Sequence, residues 1–340
     1  MSAPDAGASP NSAYRSFGEQ SLHYFIRDHA AIPNTPIDSP AAWRGVDMAA
    51  REVEWRIPVG AEVLAELDES LDRSEAAGTS LQSVHLDPQS MPRLQEAARS
   101  WRRDLAEGRG FVVLTGLPVE RWGESRSGLA FWMIGHALGV PGAQNANDEL
   151  LGHVIDYGET SASPNVRLYR TASNIGFHCD AADVVGLLCL EKAVSGGASR
   201  IASSVAIWNA LFAQDPDAAK LLFEPFAVDR RDEQPPDQRP FFEMPPCRFD
   251  EKGMLRTFYH GEYFRSAQRL DEVGTLSPER LSALDQYDAI GNDPNNRLDM
   301  HLAPGDIQFI SNHTIVHART EYEDAPDRKR HLLRLWLSLD

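Results

Sequence analysis

The chain has 340 residues, 42% of them hydrophobic, enough to bury a large core within one elaborated domain. Its formal charge of −17 excludes a general phosphate-backbone binder, which needs a basic stripe to displace counterions, so no nucleic-acid partner is expected. Cys179, Cys189 and Cys247 have no metal-knuckle spacing and cannot all pair, and neither an apolar leader nor a membrane-length apolar run is present, which points to a reducing, cytoplasmic setting and no membrane partner.

Residues 1–14 are rich in Ala, Ser, Pro and Gly and are expected to be disordered. Residues 15–104 read as a mostly helical segment packed outside the remainder, with Val59 to Leu67 and Leu94 to Trp101 the clearest pieces. Phe111 to Thr115 reads as a strand, and Leu129 to Leu138 as a helix carrying Leu129, Met133 and Ala137 at fourfold spacing. From Val166 onward short strands dominate within a domain spanning residues 105–340. A helical stretch around Val205 to Phe223 restarts at Pro216, and Ser277 as N-cap with Pro278 behind it starts another. Between them, within an insert around residues 215–300, Asp229 to Pro246 has the composition of a lid or substrate loop. Its Arg230-Arg231 doublet reads as solvated surface, and His301 alternates against Leu and Met on a solvent face. No internal repeat of the solenoid kind is present. Many short strands with Gly and Pro turns predict a mainly β fold with flanking helices, built on a jelly-roll barrel with an interior cavity.

The chemistry concentrates in three places. His178 and Asp180 are two apart on an extended run, so both side chains project to one face while Cys179 points away. Two imidazoles and one carboxylate form the facial triad that holds Fe(II) and leaves the opposite positions open; the same ligands also suit zinc. His313 and His317 compete as the third ligand, and His317 is preferred because Ile315-Val316 suggests a walled setting. In Arg330 to Trp336, period-two alternation places Arg330, Leu332, Arg334 and Trp336 on one face and His331, Leu333 and Leu335 on the other. Arginines lining an interior need anionic partners, and a planar fork suits a carboxylate. Arg319 reads as a structural ion pair, and Asp183 as a brace for the loop behind the metal pair.

In this order the motifs resemble the taurine dioxygenase-like, or clavaminate synthase-like, superfamily of Fe(II)- and 2-oxoglutarate-dependent oxygenases. The resemblance covers roughly residues 105–340 and rests on Gly110 to Pro118, the His178/Asp180 pair, Ser195-Gly196-Gly197-Ala198-Ser199, Asn312 before His317, and the Arg330/Arg334 strand. It implies a double-stranded β-helix core. It also implies iron on His178, Asp180 and His317, and the distal carboxylate of 2-oxoglutarate on Arg330 helped by Ser199. Arg334 would serve the cosubstrate or the primary substrate. Gln144 resembles a substrate-contacting position in amino-acid-oxidising relatives, and Asp183 and Tyr259 are further candidates for substrate contact. Asp180, where related halogenases carry Gly or Ala, favours hydroxylation.

The reaction so implied consumes O₂ and 2-oxoglutarate, yields succinate and CO₂, and oxidises a C–H bond of a small molecule, an amino acid or related carboxylate of specialised metabolism. Desaturation or ring formation is the alternative outcome of the same chemistry. A zinc-dependent hydrolase and a non-catalytic, cupin-like metal sensor are the competing readings. Oligomeric state is open, a homodimer being one option.

Overall fold

A computed structural model describes residues 14–26, 29–83, 90–145, 147–159, 168–232, 234 and 237–339. The expected disorder of residues 1–14 falls almost wholly outside the described residues. Along the chain come α1 (Phe17–Phe25), α2 (Gly45–Ala49), β1 (Arg56–Pro58), α3 (Ala61–Ala76), α4 (Pro92–Ala106), β2 (Phe111–Thr115) and α5 (Val119–Leu138). Then follow β3 (Val140–Gly142), β4 (Gly152–Val154), β5 (Ile175–His178), β6 (Val184–Glu191), β7 (Ser195–Gly196), β8 (Ser199–Ser203), α6 (Ser204–Gln214) and α7 (Pro216–Leu221). The remainder comprises β9 (Phe226–Asp229), β10 (Phe241–Met244), β11 (Cys247–Phe249), β12 (Leu255–Thr257), α8 (Gly261–Ser266), α9 (Pro278–Asn292), β13 (Arg297–Met300), β14 (Ile307–Ser311), β15 (Ile315–Arg319), β16 (Tyr322–Glu323) and β17 (His331–Ser338).

Local chemistry sets several of these boundaries. Ser16 and Glu19 form a reciprocal capping box that starts α1. Asp215 caps α7 with Pro216 at its first position, and Ser277 caps α9 ahead of Pro278, each cap being worth about 1 kcal/mol. The segment read as a lid is a hairpin, β9 pairing antiparallel with β10.

Two sheets form the double-stranded β-helix core. The larger has the order β1-β2-β14-β6-β17-β3, with β4 also pairing β17, and the smaller has the order β13-β8-β15-β5. Phe111, Val113, Val185, Ile310 and Trp336 of the large sheet pack with Ile201, Leu298, Met300 and Ile315 of the small one, so a shared core lies between them. The alternate residues Val112, Leu114, Leu188, Phe309, Leu333, Leu335 and Leu337 face outward and are covered by α3, α4 and α5. Ala202, Val316 and Ala318 of the small sheet are covered in the same way by α6, α7 and α9. Among the described residues these two sheets are not joined by a ladder, so the core does not close into the barrel expected; the pairs β9-β10, β11-β12 and β7-β16 form three small sheets beside it. Among the described residues no helix is long and apolar enough to cross a membrane.

Candidate active site

His178 ends β5 and pairs with His317 on β15, which places two imidazoles side by side with ring centroids 4.1 Å apart. Asp180 follows two residues later, and one ligand atom from each of the three lies within 4.8 Å of the others. The side chains of Asp180 and His317 are only 11% and 12% exposed. His178 Nδ1 is 3.0 Å from the Gly176 carbonyl, so that nitrogen donates and Nε2 is left with a lone pair, the arrangement a metal-ligating histidine needs. Burial and the neighbouring His178 push His317 down to about 3, so its ring is neutral at ordinary pH. Burial raises the Asp180 carboxyl, but Arg334, His317, His178 and the Trp336 indole outweigh it and hold the group below its usual range. One carboxylate beside two imidazoles is the donor set that Fe(II) or zinc would take.

His313 is elsewhere. It stacks on Tyr24 and lies with Nε2 2.7 Å from Asp183, itself 1% exposed. Asp183 also faces His23 Nε2 at 2.9 Å and accepts the Leu339 N–H. The expectation that Asp183 contacts substrate is therefore corrected: two imidazoles and a backbone donor enclose the carboxylate, and it braces α1 and the C-terminal strand. Asn312 completes the brace, accepting from the Asp180 N–H and donating to the Ala182 carbonyl. Tyr259 is likewise corrected as a substrate residue. It is fully buried, stacked on Tyr287, and its hydroxyl donates to Asp288. Its neighbour His260 is the residue that faces the site, with its ring 5.2 Å from that of His178.

Arg334 comes within 3.6 Å of Asp180 and lies against the rings of Tyr169 and Trp336. Gln144 Oε1 accepts from Arg334 Nε at 2.6 Å, while its amide donates to the carbonyls of Arg334 and Leu150. Gln144 is 6% exposed, and with both ends of its amide engaged it orients Arg334. Trp336 donates from Nε1 to Asp180 Oδ2 at 3.1 Å.

Arg330 is 5% exposed, and its Nη1 has no hydrogen-bond partner. Gly197, at φ +68, leaves the room it occupies, since a Cβ there would meet Arg330 Nε at 3.0 Å. Ser199 lies on the next strand, and its hydroxyl donates to Gln308 at 2.8 Å. Arg319 departs from expectation. Among the described residues it forms no ion pair but donates to the carbonyls of Thr171 and Ser173, leaving Nε and Nη1 unpartnered. It follows His317 by two on β15 and pairs with Ser199, so it shares the interior face with both. Tyr322 packs its ring against Arg319 and Arg330 together, with its own hydroxyl unpartnered. Burial, and then the proximity of Arg330, lower Arg319 to about 10. Buried cations with idle donors are costly unless an anion arrives, so this corner fits a carboxylate.

The period-two rule applied past His317 could have found Arg319; nothing local in the sequence marks Tyr322. The Arg230-Arg231 doublet is also not the free surface expected: Arg231 is 13% exposed, with its guanidinium against Tyr263 and near Glu262.

The family model described as Taurine catabolism dioxygenase TauD, TfdA family matches residues 69–336. The FR-33289 synthase of Streptomyces rubellomurinus is 28% identical over 315 residues, covering 91% of this chain and 92% of its own. An asparagine oxygenase solved with Fe(II), hydroxyasparagine and succinate superposes with a TM-score of 0.67 at 19% identity, covering 84% of this chain and 94% of that one. The non-heme iron oxygenase OrfP, solved with Fe and alpha-ketoglutaric acid, gives 0.62 at 17% identity over the same shares.

Proposed function

Because the chain belongs to the Taurine catabolism dioxygenase TauD, TfdA family and is an Fe(II)- and 2-oxoglutarate-dependent dioxygenase, we propose that His178, Asp180 and His317 hold the iron, and that the enzyme hydroxylates an amino acid or closely related carboxylate. The observation that carries this reading is the convergence of the three ligand atoms, within 4.8 Å, beside a guanidinium 3.6 Å from Asp180. Family membership sets aside the zinc hydrolase and the non-catalytic sensor.

When bound, iron would activate O₂, the oxidant for both reactants, one oxygen atom going to 2-oxoglutarate as it becomes succinate and CO₂ and the other to the substrate C–H bond. The protein supplies position. The Gly176 carbonyl fixes the His178 tautomer, and the Trp336 indole fixes one oxygen of Asp180. Arg330, with Arg319 and Tyr322 beside it, receives the distal carboxylate of the cosubstrate, and Ser199 joins by exchanging its bond to Gln308 for that carboxylate. Arg334, held in plane by Gln144, receives a carboxylate of the primary substrate at the edge of the metal centre. The apolar core between the sheets keeps water from the far side.

A screen of amino acids for stimulated succinate release tests the substrate class. The reading requires stimulation by free acids, loss of it in their methyl esters, and a raised KM for the stimulating acid in Arg334→Met and Gln144→Ala. Equal stimulation by the esters would overturn it.

A further inference from the structure

On the outer side of the large sheet, Glu124, His153 and His331 bring one carboxylate and two imidazoles together from α5, β4 and β17, with one ligand atom from each within 4.8 Å of the others. We propose that these three side chains form a second metal site, for a borderline divalent cation of the zinc, cobalt or nickel class.

His153 Nδ1 lies 2.8 Å from His331 Nε2. A proton shared between the rings accounts for that contact alone. It leaves the Glu124 carboxylate 3.9 Å from His153 Nδ1 and 3.8 Å from His331 Nδ1, beyond hydrogen-bond reach of either. Donor atoms around a tetrahedral ion with bonds of about 2.0–2.1 Å stand about 3.4 Å apart, so small side-chain rotations convert the observed spacing into a ligand cage.

The backbone fixes all three groups. His153 and His331 sit on adjacent antiparallel strands whose register pairs Leu333 with His153. Glu124 directly follows Gly123, where φ +70 breaks the helix, so it opens the continuous run of α5. Two imidazoles disfavour calcium and magnesium, which prefer oxygen ligands. The exposure of Glu124 and His153, 58% and 37%, leaves a fourth position to water. His331 follows Arg330 directly and projects to the opposite face of β17, so a cation here would tie the start of that strand to α5 from outside the catalytic pocket. The inference does not depend on the catalytic reading.

Anaerobic titration with Co(II), followed by visible absorption and by metal content after gel filtration, tests the proposal on the full chain. His178→Ala should retain one bound cobalt, lost in the combination His178→Ala with His153→Ala and again with Glu124→Gln, the exposed-helix change guarding against misfolding. Added Co(II) should raise the thermal midpoint of His178→Ala, and His153→Ala should abolish that Co(II)-dependent rise, each variant being compared with its own metal-free midpoint. If His178→Ala binds no cobalt, or binds one that neither second substitution removes, the site does not exist.

Discussion

Arg319 and Arg330 hold their guanidiniums against one tyrosine ring, 4.8 and 5.0 Å from the centroid of Tyr322, and each retains a buried nitrogen with no hydrogen-bond partner. A charge-assisted hydrogen bond is worth about 1.5–3 kcal/mol, or roughly ten- to a hundredfold in affinity. Arg319→Met should therefore raise the KM for 2-oxoglutarate by about tenfold or more with kcat little changed. It should also shrink the thermal stabilisation that 2-oxoglutarate gives the iron-free chain. Tyr322→Phe should act in the same direction and less strongly. An unchanged KM in Arg319→Met would reduce Arg319 to a strut for the Thr171 and Ser173 carbonyls.

Trp336 donates to Asp180 from the strand that carries Arg334. Loss of such an orienting partner costs about ten- to a hundredfold in metal affinity. Trp336→Phe keeps the packing and should weaken Fe(II) binding by about tenfold, read by equilibrium dialysis under anaerobic conditions.

The pH dependence of the metal-free chain follows from His317, whose folded value of about 3 lies below its ordinary 6.5. Between these limits the unfolded chain binds more protons than the folded one, so stability falls as pH falls from about 6.5 towards about 3, and is unaffected by this group above that window. Urea unfolding across the window should show the slope, and His317→Gln should flatten it.

Gly186 lies on β6 under two rings. A Cβ there would stand 2.6 Å from Phe309 and 3.0 Å from Phe131. Overpacking of this kind costs about 1–3 kcal/mol, so Gly186→Ala should lower the urea midpoint while leaving the m-value unchanged.

The elements set by local chemistry were legible in the sequence. Ser277-Pro278 and Pro216 start helices where their caps require, and the side chains that period-two spacing grouped, His178 with Asp180 and Arg334 with Trp336, lie close together. The placement of His317 rather than His313 in the cluster also followed from its apolar neighbours. What failed depended on partners far away in the chain. Asp183 is enclosed by His23, 160 residues earlier, and by His313, and Tyr259 is drawn into the core by Tyr287 and Asp288. The reading of Asp183 as a brace fits these partners, while its candidacy for substrate contact, like that of Tyr259, arose because each lies one or three positions from a residue that does face the site. Arg319 was misread for the opposite reason. An arginine is ordinarily paired with a carboxylate, and its lack of one here is a property of the assembled pocket.

Iron-dependent succinate formation from 2-oxoglutarate, measured alongside bound iron in the wild type, His317→Ala and His313→Ala, tests the central claim most directly. The expected result is succinate and one equivalent of iron in the wild type, neither in His317→Ala, and iron retained in His313→Ala, whose ring serves the Asp183 brace. Iron and succinate surviving in His317→Ala, or lost only in His313→Ala, would contradict the assignment of His178, Asp180 and His317 as the metal centre.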